Sequence, residues 1–356
     1  MVPDAIPFQS LRRALVIKLR HHGDVLLASP VFSALQHAAP QCEIDALIYA
    51  DTAPMLEGHP AIAQIHRIDR NWKKLGPFAQ AGAEWQLFKA LRERHYDLVL
   101  HLTEHRRGAW LTRLLGPRWS VAPRQKSDFW RNSFTHFTPW ASNPRRHTVE
   151  TNLDALRRLG LQPTEDDRRL VLVPGAAAEQ RVAALLDAHG LAGRAFAHLH
   201  PASRWLFKCW PAPKVAQLAD ALAARGLAIV LTAAPDPQEQ AMIDAIRGAV
   251  QVPVVDLAGQ LSLKDMAALT ARAKLFVGVD SAPMHIAAAM GTPTVALFGP
   301  SGDIEWGPWR TAHRIVTSTT HPCRPCGQDG CGGGKVSECL TTLPVERVLA
   351  ACDELL

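Results

Sequence analysis

Nowhere in this sequence of 356 residues is there a run of about 18 apolar residues, so no membrane-spanning helix is expected. The opening segment "MVPDAIPFQSLRRALVIK" has no apolar signal core followed by a cleavage site, which points to the cytoplasm. Two nucleotide fingerprints are also missing. Neither G-x-G-x-x-G nor G-x-x-x-x-G-K-[ST] occurs, which argues against hydride transfer on a dinucleotide and against P-loop chemistry. RRM, KH and helix-turn-helix signatures are absent, and with them the usual grounds for expecting nucleic acid. Internal repeats of 20–50 residues do not occur, and low complexity is confined to "GGG" at 332–334.

What is present is an ordinary soluble composition, 47% hydrophobic and 20% charged, in a chain long enough for two domains. Its charge is uneven. Residues 1–165 hold 22 Lys and Arg against 15 Asp and Glu, whereas 166–356 hold 17 against 18. The first half is therefore prepared for something anionic: nucleic acid, an anionic membrane surface or a phosphorylated substrate. Of seven cysteines, four crowd into "CRPCGQDGCGGGKVSECL" as Cys323, Cys326, Cys331 and Cys339. Disulfides are not expected in a reducing compartment. The spacing C-x2-C-x4-C-x7-C suits a structural zinc, although the usual ribbon sets its two C-x2-C pairs further apart. A loop of reduced thiols without metal is the plainer reading.

Short β-branched apolar runs alternate with amphipathic stretches. Strands are expected at 14–18, 44–49 and 97–102 in the first half, and at 196–200, 228–232, 274–279 and 294–298 in the second. Helices are expected near 85–95, 149–159, 213–225, 237–249 and 262–272. Strands that are apolar on both faces, each followed by a helix, argue for parallel sheets covered on both sides, and two such runs imply two doubly wound α/β domains. The expected limits are 1–165, a boundary region at 166–195 whose "LVLVP" reads as a strand of either side, 196–342, and a C-terminal helix at 343–356 opened near Pro344.

In such sheets ligands sit beyond the carboxyl ends of strands, where loops lead into helices. Three segments fit. "KLRHHGDVLLASP" places Gly23 at a tight turn and Asp24 at the crevice, with Ser29-Pro30 resembling an N-cap followed by a first-turn proline; Asp24 as a mere helix cap is the alternative. "HPASRWLFKCWP" offers Ser203, Arg204 and Lys208 to a phosphate, against a plain solvated loop. "FVGVDSAPMHIAAAMGTPTVALFGP" ends a buried strand at Asp280, and His285 follows five positions on. Tight helix packing explains its alanines but neither Asp280 nor His285. Glu239, in "APDPQEQ", either accepts ribose hydroxyls or sits in a first turn favoured by the helix dipole. Arg67, Lys73, Arg106, Arg107 and Arg124 carry much of the first half's positive charge, and a solvated face is the plain reading of each alone.

Taken together, "VIKLRHHGDVLLASPVFSAL", "HPASRWLFKCWP", "AAPDPQEQ" and "FVGVDSAPMHIAAAMGTPTVALFGP" resemble, in order and across nearly the whole chain, the lipopolysaccharide heptosyltransferases of glycosyltransferase family 9. The cysteine-rich segment and "IDALIYADTAPMLEGHP" look most like the subtype that adds a third, branching heptose to the second inner-core heptose. The resemblance implies a GT-B fold: two Rossmann-like domains facing a cleft, with an N-terminal acceptor domain and a C-terminal domain for ADP-heptose. The implied acceptor is the lipid A-linked, phosphorylated lipopolysaccharide core, and the implied place of work is the cytoplasmic face of the inner membrane, on an anionic membrane surface.

By the same resemblance Asp24 is the general base of an inverting transfer. Ser203, Arg204, Lys208, Glu239, Asp280, Ser281, Ala282 and His285 hold the donor, and Arg20, His21, Arg67, Lys73, Arg106, Arg107 and Arg124 face the acceptor. No Asp-x-Asp metal pair occurs, so Lys208 is expected to replace a metal's charge, and no cofactor is expected besides the donor substrate. Ala282-Pro283 stands where relatives often carry Thr/Ser-Gly, which removes one backbone N–H from the phosphate site. Two other classes remain open: a nucleotide-sugar epimerase of the same layout, for which a basic acceptor half has no purpose, and a two-lobed sugar-binding protein, for which a base at the cleft has none.

Overall fold

The computed structural model describes residues 4–139 and 142–356, and the chain divides into two compact units, Met1–Leu172 and Val173–Leu356. In the first unit the strands are β1 (Arg13–Ile17), β2 (Glu43–Tyr49), β3 (Gln64–Ile68), β4 (Leu98–His101), β5 (Trp119–Pro123) and β6 (His136–Thr138). They form one parallel sheet in the order β3-β2-β1-β4-β5-β6. Its helices are α1 (His22–Leu26), α2 (Ser29–Ala38), α3 (Pro77–Glu93), α4 (Arg106–Leu115), α5 (Asp128–Arg131) and α6 (Thr148–Arg158). Leu15, Ile17, Leu47 and Val99 of the central strands are fully buried against Leu87 and Leu91 of α3 and Leu111 of α4. Each such aliphatic side chain contributes roughly 1.5–3 kcal/mol by leaving water.

The second unit repeats the plan. Helix α7 (Ala176–Ala188) leads into β7 (Phe196–His200), α8 (Ala212–Ala223), β8 (Ala228–Leu231), α9 (Pro237–Ala249), β9 (Val254–Asp256) and α10 (Leu263–Thr270). Then follow β10 (Leu275–Val279), α11 (Ala282–Ala289), β11 (Thr294–Phe298), α12 (Asp303–Trp306), β12 (His313–Thr317), α13 (Glu338–Thr341) and α14 (Val345–Asp353). The sheet order, β12-β11-β10-β7-β8-β9, is the first unit's order read from the other edge. Helices cover both faces. Val215 and Leu222 of α8, Ile243 of α9 and Val348 of α14 pack with Leu199, Leu231, Val277 and Leu297, while Val182 of α7 and Leu269 of α10 pack with Phe196 and Val230.

Several expectations need correction. "LVLVP" is not a strand, because residues 170–174 run without regular structure. The expected boundary region contains α7, whose Ala178, Val182 and Leu186 are core residues of the second unit. The last helix, too, is part of that core through Val348 and Cys352 rather than an appendage. Ser29 is not an N-cap: α1 and α2 are separate helices, Ala28 precedes α2, and the Ser29 hydroxyl accepts the Val171 N–H at 3.0 Å.

Candidate active site

An open parallel sheet binds its ligand where the strand order turns back, because there two neighbouring loops diverge and leave a crevice. In the first unit that point lies between β1 and β4, and in the second between β7 and β10. The segments that leave β1, β7 and β10 are the three that the sequence singles out.

After β1 the chain enters α1 through His21, whose side chain makes no capping bond. Asp24 lies in the first turn, half-buried, and makes no hydrogen bond or ion pair among the described residues. It does not cap the helix. Behind it lies Lys18, which sequence reading passed over. The Lys18 side chain is buried, 4% exposed, and its ammonium donates to the Leu102 carbonyl at 3.2 Å and to Asn152 Oδ1 at 2.9 Å. The Asn152 amide in turn donates to the Leu27 carbonyl at 2.9 Å, at the C-terminal end of α1. Burial pushes the Lys18 amine down to about 8, and the nearby Asp24 carboxylate opposes that shift. Asp24 and Lys18 thus lie close enough to interact electrostatically.

Around this point the loops after β1, β3 and β4 gather positive charge. His105 caps α4 through its ring nitrogen on the Arg107 N–H. Its protonation is disfavoured first by burial and then by the cations of Arg107, Lys73, Arg20 and Arg70. Three of the expected acceptor residues, Arg20, Lys73 and Arg107, thus converge with a fourth cation. Arg70 lies 3.7 Å over the Tyr49 ring and donates to the Arg20 carbonyl at 2.8 Å. Arg107 is tied to Glu84, and Arg106 is exposed beside it. The exposed His21 belongs to the same loop as Arg20. Arg67 is spent on Glu57 at 2.8 Å, and Arg124 is exposed at the end of β5. Close packing holds the β4 corner: a Cβ on Gly108 would lie 1.8 Å from the His101 ring, so only glycine lets α4 seat there.

In the second unit the loops after β7 and β10 meet. The Lys208 ammonium reaches Asp280 Oδ2 at 2.5 Å, joining two residues singled out separately, and stands 5.0 Å over the Trp205 ring. Ser203 is buried and its hydroxyl accepts the Trp205 N–H at 3.4 Å, while Arg204 is exposed. Ser281 precedes α11 without capping it, and its hydroxyl faces the Val279 carbonyl at 3.3 Å. Pro283 has no N–H and the Met284 N–H is taken by Ser281, which leaves the Ala282 amide at this helix start. His285 is buried in the second turn, 3% exposed. Glu239 is committed to its own loop: it is buried, accepts the Ala234 N–H at 2.9 Å, and burial raises its pKa. The helix cap there is Asp236. As for the cysteines, Cys323, Cys326 and Cys331 are exposed and Cys339 is buried. Among the described residues no three His, Cys, Asp or Glu side chains are grouped to hold a metal.

Two doubly wound sheets, each with candidate residues at the turning point of its strand order, place a ligand-binding crevice there. Residues 84–336 match Glycosyltransferase family 9 (heptosyltransferase). The chain is 35% identical over 342 residues to lipopolysaccharide heptosyltransferase 3 of Escherichia coli K12, covering 95% of this chain and 96% of that one. A family 9 glycosyl transferase from Veillonella parvula superposes with a TM-score of 0.84 at 22% identity, covering 99% of both chains. The Escherichia coli heptosyltransferase WaaC, solved with ADP-2-deoxy-2-fluoro heptose, has a TM-score of 0.70 at 20% identity, covering 96% of this chain and 99% of that one. The chain belongs to glycosyltransferase family 9 and is a heptosyl-transferring enzyme of the lipopolysaccharide core with the GT-B fold.

Proposed function

We propose that the protein moves L-glycero-D-manno-heptose from ADP-heptose to the lipopolysaccharide inner core with inversion, adding the third, branching heptose to the second. The observation that carries this reading is the contrast between the two turning points: an unpartnered carboxylate, Asp24, among cations in one unit, and a Lys208–Asp280 pair beside a helix start in the other. Asp24 takes the proton of the acceptor hydroxyl as its oxygen attacks the anomeric carbon. The bond from that carbon to the diphosphate oxygen breaks, and ADP leaves. A base so placed contributes typically ~10²–10⁴-fold.

Lys208 and the Ala282 amide receive the charge that grows on the departing diphosphate, as a metal does elsewhere. Asp280, held by Lys208, then serves the heptose hydroxyls. Arg20, Lys73, Arg106 and Arg107, with Arg70, attract the phosphorylated acceptor. Subtype rests on the 35% identity to a heptosyltransferase 3 over almost the full chain.

The same reading has the enzyme work peripherally at the cytoplasmic face of the inner membrane. No helix among the described residues is long and apolar enough to cross a membrane. Leu75, Phe78 and Trp85 are nonetheless exposed, Phe78 to 92%, next to Lys73 and Lys74, a mixture suited to an anionic lipid surface. Linkage analysis of the product made from ADP-heptose and defined truncated cores tests the assignment. Transfer is expected onto cores that already hold two heptoses, and faster transfer onto a core with none or one would move the protein to another subtype.

A further inference from the structure

The cysteine-rich segment is the longest stretch of irregular chain in the second unit, and its cysteines are free of disulfides among the described residues. What holds it is hydrogen bonding to the end of β11. Arg324 Nε donates to the Gly299 carbonyl at 2.6 Å, and the Gly327 N–H donates to the Pro300 carbonyl at 2.9 Å. Gly299 has no room for a side chain, because a Cβ would lie 2.5 Å from Leu340. Within the segment, the Cys331 N–H donates to the Val336 carbonyl at 2.7 Å and the Lys335 N–H to the Asp329 carbonyl at 3.1 Å. The Lys335 ammonium holds Asp329 Oδ2 at 2.5 Å and lies 5.7 Å over the Phe207 ring. The segment is thus a built wall, fixed at both the sheet and the β7 loop.

Between that wall and Lys208 lies a cavity of about 240 Å³. It is lined by Trp205, Phe207 and Lys208 from the chain after β7, Ser301 from the chain after β11, and Gln328 and Asp329 from the cysteine-rich segment. Its volume is below the ~300 Å³ at which pockets begin to take a whole drug-sized ligand, so it suits one sugar ring rather than a nucleotide sugar. Its chemistry is that of a polyol site. The exposed Trp205 indole offers a flat apolar face to ring C–H groups, and a carboxylate and a carboxamide offer paired acceptors and donors to hydroxyls.

We propose that segment 321–337 is the sugar-side wall of the donor site, and that Gln328 and Asp329 bind hydroxyls of the transferred sugar and select it. This deepens the proposed function and rests on its placing of the nucleotide-sugar donor at Lys208. In this arrangement Lys208 marks the diphosphate end of the cavity. Lys335 fixes one oxygen of Asp329, leaving the other to the sugar.

Calorimetry on the full chain separates this claim from the one beneath it. Gln328→Ala and Asp329→Ala are expected to weaken binding of ADP-heptose about 10- to 100-fold while leaving the affinity for ADP unchanged, since ADP has no sugar in the cavity. Lys335→Met, which frees Asp329 without removing it, is expected to give a smaller loss with the same pattern. Equal changes for both ligands, or no change for either, in variants that melt like the parent, would overturn the role of the wall. If the parent chain bound neither ADP nor ADP-heptose, the donor assignment itself would fall, and this inference with it.

Discussion

The two units share one strand order and differ in how the crevice charge is arranged. Residues 1–172 carry 24 Lys and Arg against 17 Asp and Glu, residues 173–356 only 15 against 16. In the first unit the surplus gathers around His105, and Asp24 is left without a bonded partner while Asp51, after β2, is paired with Arg70. In the second unit the lysine and the aspartate are already joined to each other. One scaffold thus holds an unbonded carboxylate in one copy and a joined ion pair in the other, a difference that belongs to the loops and not to the fold.

Breaking that contrast at Asp24 should have the largest effect. Asp24→Ala is expected to lower the transfer rate about 10²–10⁴-fold while ADP binding, measured by calorimetry, persists; unimpaired turnover would remove Asp24 from the mechanism. Next comes Lys208→Met, expected to cost about 10²–10³-fold in kcat, because charge on the leaving diphosphate loses its main partner. The double variant with Asp280→Asn should lose less than the sum of the two single losses, since each single change strands one buried charge. A milder effect is expected in the first unit. Lys73→Ala and Arg106→Ala should each raise the acceptor KM about two- to five-fold at low salt, leave the donor KM alone, and fade in 0.5 M salt. Donor KM shifts in these variants would contradict the division of labour.

The smallest difference expected between the units is in acid. His59 and His101 in the first and His198 and His200 in the second are buried, and burial holds their pKa values down to about 4, 3, 3 and 4. The unfolded chain takes up these protons near pH 6.5 while the folded chain refuses them. Stability is therefore full above pH 6.5 and falls as pH drops from there towards 4, by up to about 1.4 kcal/mol per histidine per pH unit. Urea midpoints measured from pH 7.5 to 4.5 should fall for both units, and a flat profile would show that the imidazoles reach water.

Central strands were readable because burial on both faces gives continuous apolar runs. Of the strands expected from the sequence, seven are present with small shifts of their ends and "LVLVP" is not. The ones that escaped notice include every edge strand: β3, β6, β9 and β12. An edge strand faces solvent along one side, so "QIHRI" and "HRIVT" mix charge with apolar residues and resemble loops. Asp24, Lys208 and Asp280 stood out in the sequence because they lie in the segments that follow strong strands, β1, β7 and β10. Lys18 did not, since one lysine at the end of an apolar run looks like a strand terminus. Its burial depends on Asn152, in a helix far along the chain. The loop contact of Glu239 was not legible for a similar reason: its carboxylate accepts an amide of its own loop, which spacing does not announce.

The chain from Lys18 through Asn152 to the Leu27 carbonyl has a consequence for how this enzyme tolerates change. Helix α1 spans five residues, too few to persist on its own hydrogen bonds. The position of the carboxylate it carries is therefore set from outside, by a residue on α6 that faces the interior. On the role proposed for Asp24, replacements along that inward face of α6 are expected to alter turnover without touching either substrate, and a search for weakened or improved enzymes that samples only the crevice would miss them.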